Sequence, residues 1–283
     1  MKKIVTSILA LAVITLSCFA LTGCGQQKEA VKVINIPLTE EEYAFGVDKN
    51  QPELLAKVNE FIAKIQSDGT FDAICNNYFG DGTPKPVASA ELDASKDQLV
   101  VATNAGFEPF EYMAGDQYLG IDMEIAELLA KELGKELVIS NMEFEAVCLS
   151  VGQSKADIAM AGLTIKEDRK EYVTFSDKYY NAAQMIIAKS KDKTFDDCTT
   201  ADEVAAILSG FPSDKKIGVQ TGTTGQFYVE GDPDWGFEGF ATKCVGYKSG
   251  SLAVQDMLNG NIDYVIIDEA PAHSIVKAIN ELN

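Results

Sequence analysis

With 283 residues, 46% of them hydrophobic, the chain can fill the core of one large or two ordinary domains and lacks the composition of a disordered segment. Its 43 acidic and 24 basic side chains leave a formal net charge of −19, which excludes nucleic acid or an acidic membrane as the partner of a basic face. A single histidine, His273, and cysteine spacings that fit no zinc motif exclude a metal centre and a histidine-based triad, so no metal, cofactor or catalytic residue is expected.

Lys2 and Lys3 open the chain, an apolar run broken only by small polar residues comes next, and the run closes on Leu21-Thr22-Gly23-Cys24. This order predicts a lipoprotein signal peptide over residues 1–23, cleavage before Cys24, and a diacylglycerol thioether on that cysteine. The alternative, a transmembrane helix, asks for about 20 consecutive apolar residues, and this run is short and interrupted. Losing two lysines takes the charge from −19 to −21. Residues 24–30 then form a lipidated tether, and two acyl chains anchor lastingly where one binds marginally. Cys18 leaves with the signal; of the four remaining cysteines, Cys198 and Cys244 either pair or stay free, and sequence leaves both open.

Residues 31–36 and 43–47 read as short strands, 52–65 and 71–79 as helices. About fifty residues bury too little surface to stand alone, so this stub must pack onto the rest of the chain. Residues 81–96 have linker composition and no periodicity. From Leu99 onward strand and helix alternate. Residues 99–103 are β-rich; Ile121, Ile125, Leu128, Leu129 and Leu133 fall on one helical face closed by Gly134; further strands lie at 137–139, 158–160, 185–187, 216–219 and 264–267, with helices at 145–153 and 271–283. This alternation predicts an α/β fold with largely parallel sheets, whose ligands sit at the carboxyl ends of the strands.

Two places run strand, tight loop, helix with a threonine at the helix mouth. Thr164 with Glu167, and Thr223 with Gln226, have capping-box spacing, so both read as helix starts, where free N–H groups and the macrodipole favour an anion. Arg169 adds a planar two-donor fork matched to a carboxylate. The residues alone thus point to a binder of a small anionic or zwitterionic molecule.

Gly120-Ile121-Asp122-Met123-Glu124-Ile125, with Leu129 and Ala130 beyond, resembles the signature segment of the solute-binding proteins of ABC importers for polar amino acids, bacterial extracellular solute-binding family 3. Phe107-Glu108-Pro109-Phe110-Glu111-Tyr112 resembles that family's ligand loop, and Ala161-Gly162-Leu163-Thr164 with Arg169 its carboxylate loop. Gly222-Thr223-Thr224-Gly225 and Ile267-Asp268-Glu269 resemble its second-lobe contacts. The resemblance implies the periplasmic-binding-protein type 2 fold: two α/β lobes joined by a two-strand hinge. The order of pieces departs from it. Family members end on a strand, an E-E-Y-A-type crossover and two helices closing near Y-F-G; here Glu41-Glu42-Tyr43-Ala44 and Asn77-Tyr78-Phe79-Gly80 come first. A circular permutation is expected, with residues 31–43 and 188–283 as lobe 2, 44–80 and 97–187 as lobe 1, and 81–96 joining the ancestral C- and N-termini. The alternative is a duplicated fragment that swaps between partners.

The resemblance also assigns roles. Arg169 would grip the ligand's α-carboxylate with the Thr164 hydroxyl and Gly162 backbone from lobe 1 and Thr224 from lobe 2; Asp268 would take the α-ammonium. Phe107 and Phe144 would close over the side chain, and Asn104, Gln220 and Ala161 would line the same loops. Each has a plainer reading: Arg169 paired to Glu167 or Asp168 in solvent, the threonines and Asp268 as N-caps, the phenylalanines as core. Many basic-ligand members carry aspartate where Asn104 stands, which favours a neutral polar amino acid here, although Glu108, Glu143 or Glu145 could supply charge. Implied partners are a free amino acid, an ABC permease and ATPase, and the membrane through the lipid anchor, the protein itself being a monomer. A dehydratase-like enzyme on the same scaffold needs a poised acid or base, with His273 the one histidine to offer; a sensor domain is the other rival.

Overall fold

The computed structural model describes residues 29–282, so the expected signal peptide, Cys24 and the tether as far as residue 28 lie outside the described residues. No helix among those described is long and apolar enough to cross a membrane. Two five-stranded sheets form the centres of two halves. The first runs Val31–Ile34, Gln184–Lys189, Tyr264–Asp268, Lys216–Gln220, Lys243–Tyr247, and the second Val173–Phe175, Gly46–Asp48, Ile158–Ala159, Gln98–Thr103, Glu136–Asn141. In each, the last three strands are parallel and the first two are antiparallel additions. The expected α/β class is therefore what forms.

The chain passes between the halves twice, through Glu41–Tyr43 and Tyr180–Ala182, and these two strands pair antiparallel with Tyr43 opposite Tyr180. Residues 43–47, read as one strand, are broken at Ala44 and Phe45 because the chain leaves this ladder to enter the second sheet at Gly46. Gln184–Lys189 lies wholly in the first sheet, so residues 184–187 stand with residues 188–283.

Helix Ile121–Leu133 buries Ile121, Ile125 and Leu129 and stops at Gly134, whose left-handed φ of 70° lets its N–H reach Ala130 and Lys131. Helix Pro52–Ser67 starts on proline and buries Leu54, Val58, Phe61, Ile62 and Ile65, a stripe of period 3.6. At the other end, helix Glu269–Glu281 holds the start of the first strand: Asn280 Oδ1 accepts from Ala30 N at 2.8 Å and Val31 N at 3.2 Å, and its Nδ2 donates to Val31 O at 2.9 Å. Residues 81–96 are no loose linker. Val87 N donates to Tyr118 O on strand Gln117–Leu119, and Ala90 N donates to Leu137 O and Ser89 Oγ accepts from Ile139 N on the edge strand Glu136–Asn141, all at 2.8 Å, which sews the stretch to both strands.

Glu111, on the strand Glu111–Ala114, is fully buried, and neither carboxylate oxygen has a hydrogen-bond partner among the described residues. Burial first, then the charges of Asp122 and Asp268, push its pKa well above the usual carboxylate range. A raised folded pKa leaves stability intact below the unfolded value of about 4.3 and removes it as pH climbs through the interval up to the folded pKa. Glu111→Gln should therefore melt higher than wild type by a margin that widens from pH 4 to pH 8, by up to about 1.4 kcal/mol per pH unit. A margin constant with pH in thermal melts would show that the carboxyl titrates normally.

Candidate functional site

Where the two crossing strands meet the carboxyl ends of the parallel strands, Phe107, Phe144, Gly162, Thr164 and Arg169 from the second half face Gln220, Thr223, Thr224 and Asp268 from the first, around a narrow cleft with about 10 Å³ of free space. Seven of the eight residues expected to touch ligand line it. The eighth, Asn104, lies at its edge, donating to Met142 O at 2.7 Å and accepting from Gln220 Nε2 across the cleft at 3.0 Å.

The loop after Ile158–Ala159 is fixed by neighbours on two sides. Gly162 has φ +52°, and a Cβ there would sit 2.8 Å from Phe107 Cε1, so only glycine lets the aromatic ring close on the loop. Its N–H donates to Asp122 Oδ2 at 3.0 Å, and Asp122 Oδ1 accepts from Tyr179 OH at 2.7 Å. Burial raises Asp122 to about 7, against the lowering pull of these two bonds. The Gly162 N–H expected to serve the guest is thus taken by a buried acid. On the other side the loop is sewn to the crossing strand: Ala44 N donates to Leu163 O and Ile165 N to Glu42 O, both at 3.0 Å.

Thr164 caps no helix. Its hydroxyl donates to Glu41 Oε2 at 2.7 Å and accepts from Thr224 Oγ1 at 3.4 Å, while the expected helix is one 3-10 turn, Arg169–Glu171, capped by Asp168. The capping box does not form because no helix begins at Thr164; its hydroxyl serves the buried Glu41 carboxylate instead. Arg169, 8% exposed, donates Nη1 to Thr164 O at 2.8 Å and Nη2 to Gly222 O of the opposite wall at 3.1 Å, and lies 5.2 Å above the Phe144 ring centre. The acids beside it in sequence are engaged elsewhere, Glu167 with Lys170 and Asp168 with Lys166.

Helix Thr224–Glu230 starts where expected, but no capping box forms: Thr223 Oγ1 donates to Gln220 O, and Gln226 Oε1 accepts from Gly222 N rather than Thr223 N. Asp268 occupies the N-cap position of the last helix without capping it; its Oδ1 accepts from Tyr43 OH at 2.5 Å. Burial, then the charge of Glu41, raise Asp268 to about 7. Glu41, buried, accepts from Thr39 Oγ1 at 2.6 Å, Thr164 Oγ1 at 2.7 Å and Gln184 Nε2 at 3.0 Å. Sequence reading used Glu41 only to place the crossover. A signal was present: the strand buries Glu41 and Tyr43 and exposes Glu42, so period two aims Glu41 and Tyr43 to one side. All four described cysteines are free thiols.

Residues 99–274 match the family described as bacterial extracellular solute-binding proteins, family 3. The arginine-binding extracellular protein ArtP of Bacillus subtilis is 31% identical over 191 residues, 67% of this chain and 68% of that protein. The histidine-binding periplasmic protein of Salmonella typhimurium is 27% identical over 187 residues, 65% of this chain and 66% of that one. Among solved structures, holo ArgBP from T. maritima aligns with TM-score 0.54 and 33% identity over 65% of this chain and 74% of that one. An ancestral amino acid-binding protein, a precursor of cyclohexadienyl dehydratase, aligns with TM-score 0.55 and 28% identity over 65% and 75%.

Proposed function

Since the chain belongs to the bacterial extracellular solute-binding proteins, family 3, we propose that it captures a free polar amino acid between its two halves and delivers it to an ABC permease and its ATPase. The observation that carries this reading is the pairing, in one cleft, of a nearly buried guanidinium, Arg169, with a buried carboxyl, Asp268. A zwitterion needs one of each. Arg169 and Thr224 take the α-carboxylate, Asp268 the α-ammonium, and Phe107 and Phe144 flank the side chain. Thr164 and Gly162 shape this subsite from behind, because their donors already serve Glu41 and Asp122.

Ligand acts on the hinge by differential affinity: walls brought together by closure bind a guest that one wall alone holds weakly. Relatives are named for arginine and histidine, whereas Asn104 presents an amide joined to Gln220 and favours a neutral polar ligand. A thermal-shift screen of the amino acids, in which a tight ligand stabilises by mass action, identifies it. Binding rather than catalysis is the proposed role, since named relatives are binding proteins.

The anchor is inferred from sequence and from the extracellular or periplasmic naming of relatives: residues 1–23 are cleaved and Cys24 carries the lipid. The permutation is supported by three observations. The family match begins only at residue 99, residues 31–48 contribute strands to both sheets, and Asn280 grips Val31. On this reading 31–43 with 188–283, and 44–80 with 97–187 apart from 184–187, which pair into the first sheet, are the two lobes, and 81–96 joins the ancestral ends.

Arg169→Ala removes the desolvated partner of the carboxylate, a change on the order of 3–5 kcal/mol, so affinity should fall by roughly a hundredfold or more. A loss under about threefold by calorimetry, with the fold intact, overturns the assignment. Cys24→Ala should abolish acyl labelling and release the protein from the membrane fraction; undiminished labelling refutes the anchor. A reordered chain beginning near Asp97, with Asn283 joined to Val31 and ending at Gly80, should fold and bind the same ligand, because loop closure varies slowly with length. Failure of that chain to fold favours the swapped fragment.

A further inference from the structure

Lys166 lies two residues after Thr164 and three before Arg169, on the loop of the second half, yet only 4% of it is exposed. Its Nζ is 2.8 Å from Asp232 Oδ2, 3.0 Å from Asp168 Oδ2 and 4.6 Å from the centre of the Phe227 ring. Phe227 and Asp232 belong to the other half: helix Thr224–Glu230, which carries Thr224 into the cleft, packs on the first sheet, and Asp232 comes just beyond its end. The ammonium therefore bridges the two halves while keeping one partner on its own loop.

Asp232 is prepared for this contact. Its Oδ1 accepts from Asp234 N at 2.9 Å and Trp235 N at 3.3 Å, and its own N–H donates to Phe237 O at 2.8 Å, so the turn 232–237 fixes the carboxylate and leaves Oδ2 directed at Lys166. The contrast is Lys248 with Glu143, which also crosses between halves; its side chains are 75% and 58% exposed, and such a pair contributes little.

We infer that Lys166 and Asp232 form a latch, a positioning pair that holds the halves closed and keeps the loop bearing Arg169 in register with Thr224. The inference rests on the proposed binding function. When the halves part, water solvates both charges; when they close, both are desolvated, with Asp232 relying on Lys166 and Lys166 shared between Asp232 and Asp168. Removing Lys166 thus leaves the Asp232 carboxylate buried without a cation, and removing Asp232 leaves Lys166 buried with the half-exposed Asp168 alone, in the closed form only, which is the condition for shifting a two-state equilibrium. Because ligand enters the open form, the effect belongs to dissociation rather than association.

The test uses the full mature chain with Asp232→Asn, Lys166→Met and the double variant, L-glutamine and L-arginine as probes, and stopped-flow rates beside small-angle scattering. Each single variant should release the bound probe at least about tenfold faster, a shift well within the cost of stranding a buried charge. Association should stay within about twofold, and the double variant should recover most of the loss, since the two sites are coupled. The Asn variant retains the oxygen that its turn requires, so it carries the test if Lys166→Met does not fold. Dissociation unchanged in the single variants, or losses that merely add in the double, overturns the latch. If the wild type binds no amino acid the proposed function falls, and the latch is then judged by scattering: single variants must be more expanded than wild type, and equal radii refute it.

Discussion

The cleft depends on one three-residue ladder. Glu41–Tyr43 pairs with Tyr180–Ala182, bonds through its backbone to the loop at 163–165, and turns two side chains to the site, Glu41 to Thr164 and Tyr43 to Asp268. Backbone bonds set the height of the loop relative to the crossing, and the two side chains then attach one wall each. A rotation at the crossing is thereby transmitted to both walls without any flexible connection, which is the property that a hinge needs if opening and ligand release are to be one event.

Among the described residues the buried charged groups are mostly acidic. Glu41, Asp48, Glu111, Asp122, Glu124, Asp232 and Asp268 are buried, against Lys166 and Arg169, seven acids to two bases. Both bases sit on the loop 160–169, and both reach across to the other half. Elsewhere the acids are held by hydroxyls and N–H groups, as Asp122 is by Tyr179 and Gly162, or lie without a hydrogen-bond partner among the described residues with their pKa pushed up by burial, as Glu111 does. In the proposed binding mode, a positively charged group entering beside Asp268 would meet little competition from protein cations, and a carboxylate would have Arg169 as its destination. On that reading, the unequal distribution of buried charge would orient a zwitterion before shape does.

Local rules carried the sequence reading where the chain answers to its own neighbours. Gly134 closes its helix as expected, the parallel strands fall near their predicted positions, and Arg169, Asp268 and the two threonine loops converge. They failed where a distant partner wins. Neither Thr164–Glu167 nor Thr223–Gln226 forms its box; the box that does form is Thr200–Glu203, an exposed helix start with no buried acid nearby to claim its hydroxyl. That signal was legible and would have marked helix Ala201–Ser209, as Ser249 would have marked Gly250–Leu258. Strand Lys243–Tyr247 has no fully buried residue and so no apolar run to announce it. The bond between Asn104 and Gln220 joins residues 116 apart and has no local trace.

Residues 81–96 also protect the sheet they border. Glu136–Asn141 is the last strand of its sheet, and an open edge of this kind offers unpaired N–H and C=O groups to any other chain. Ala90 and Ser89 already occupy the Leu137 carbonyl and the Ile139 N–H, while Glu136 faces Lys96 and Gln98. The segment therefore acts as a fixed selvedge. It denies strand addition to neighbouring copies, and it does so without contributing a strand of its own.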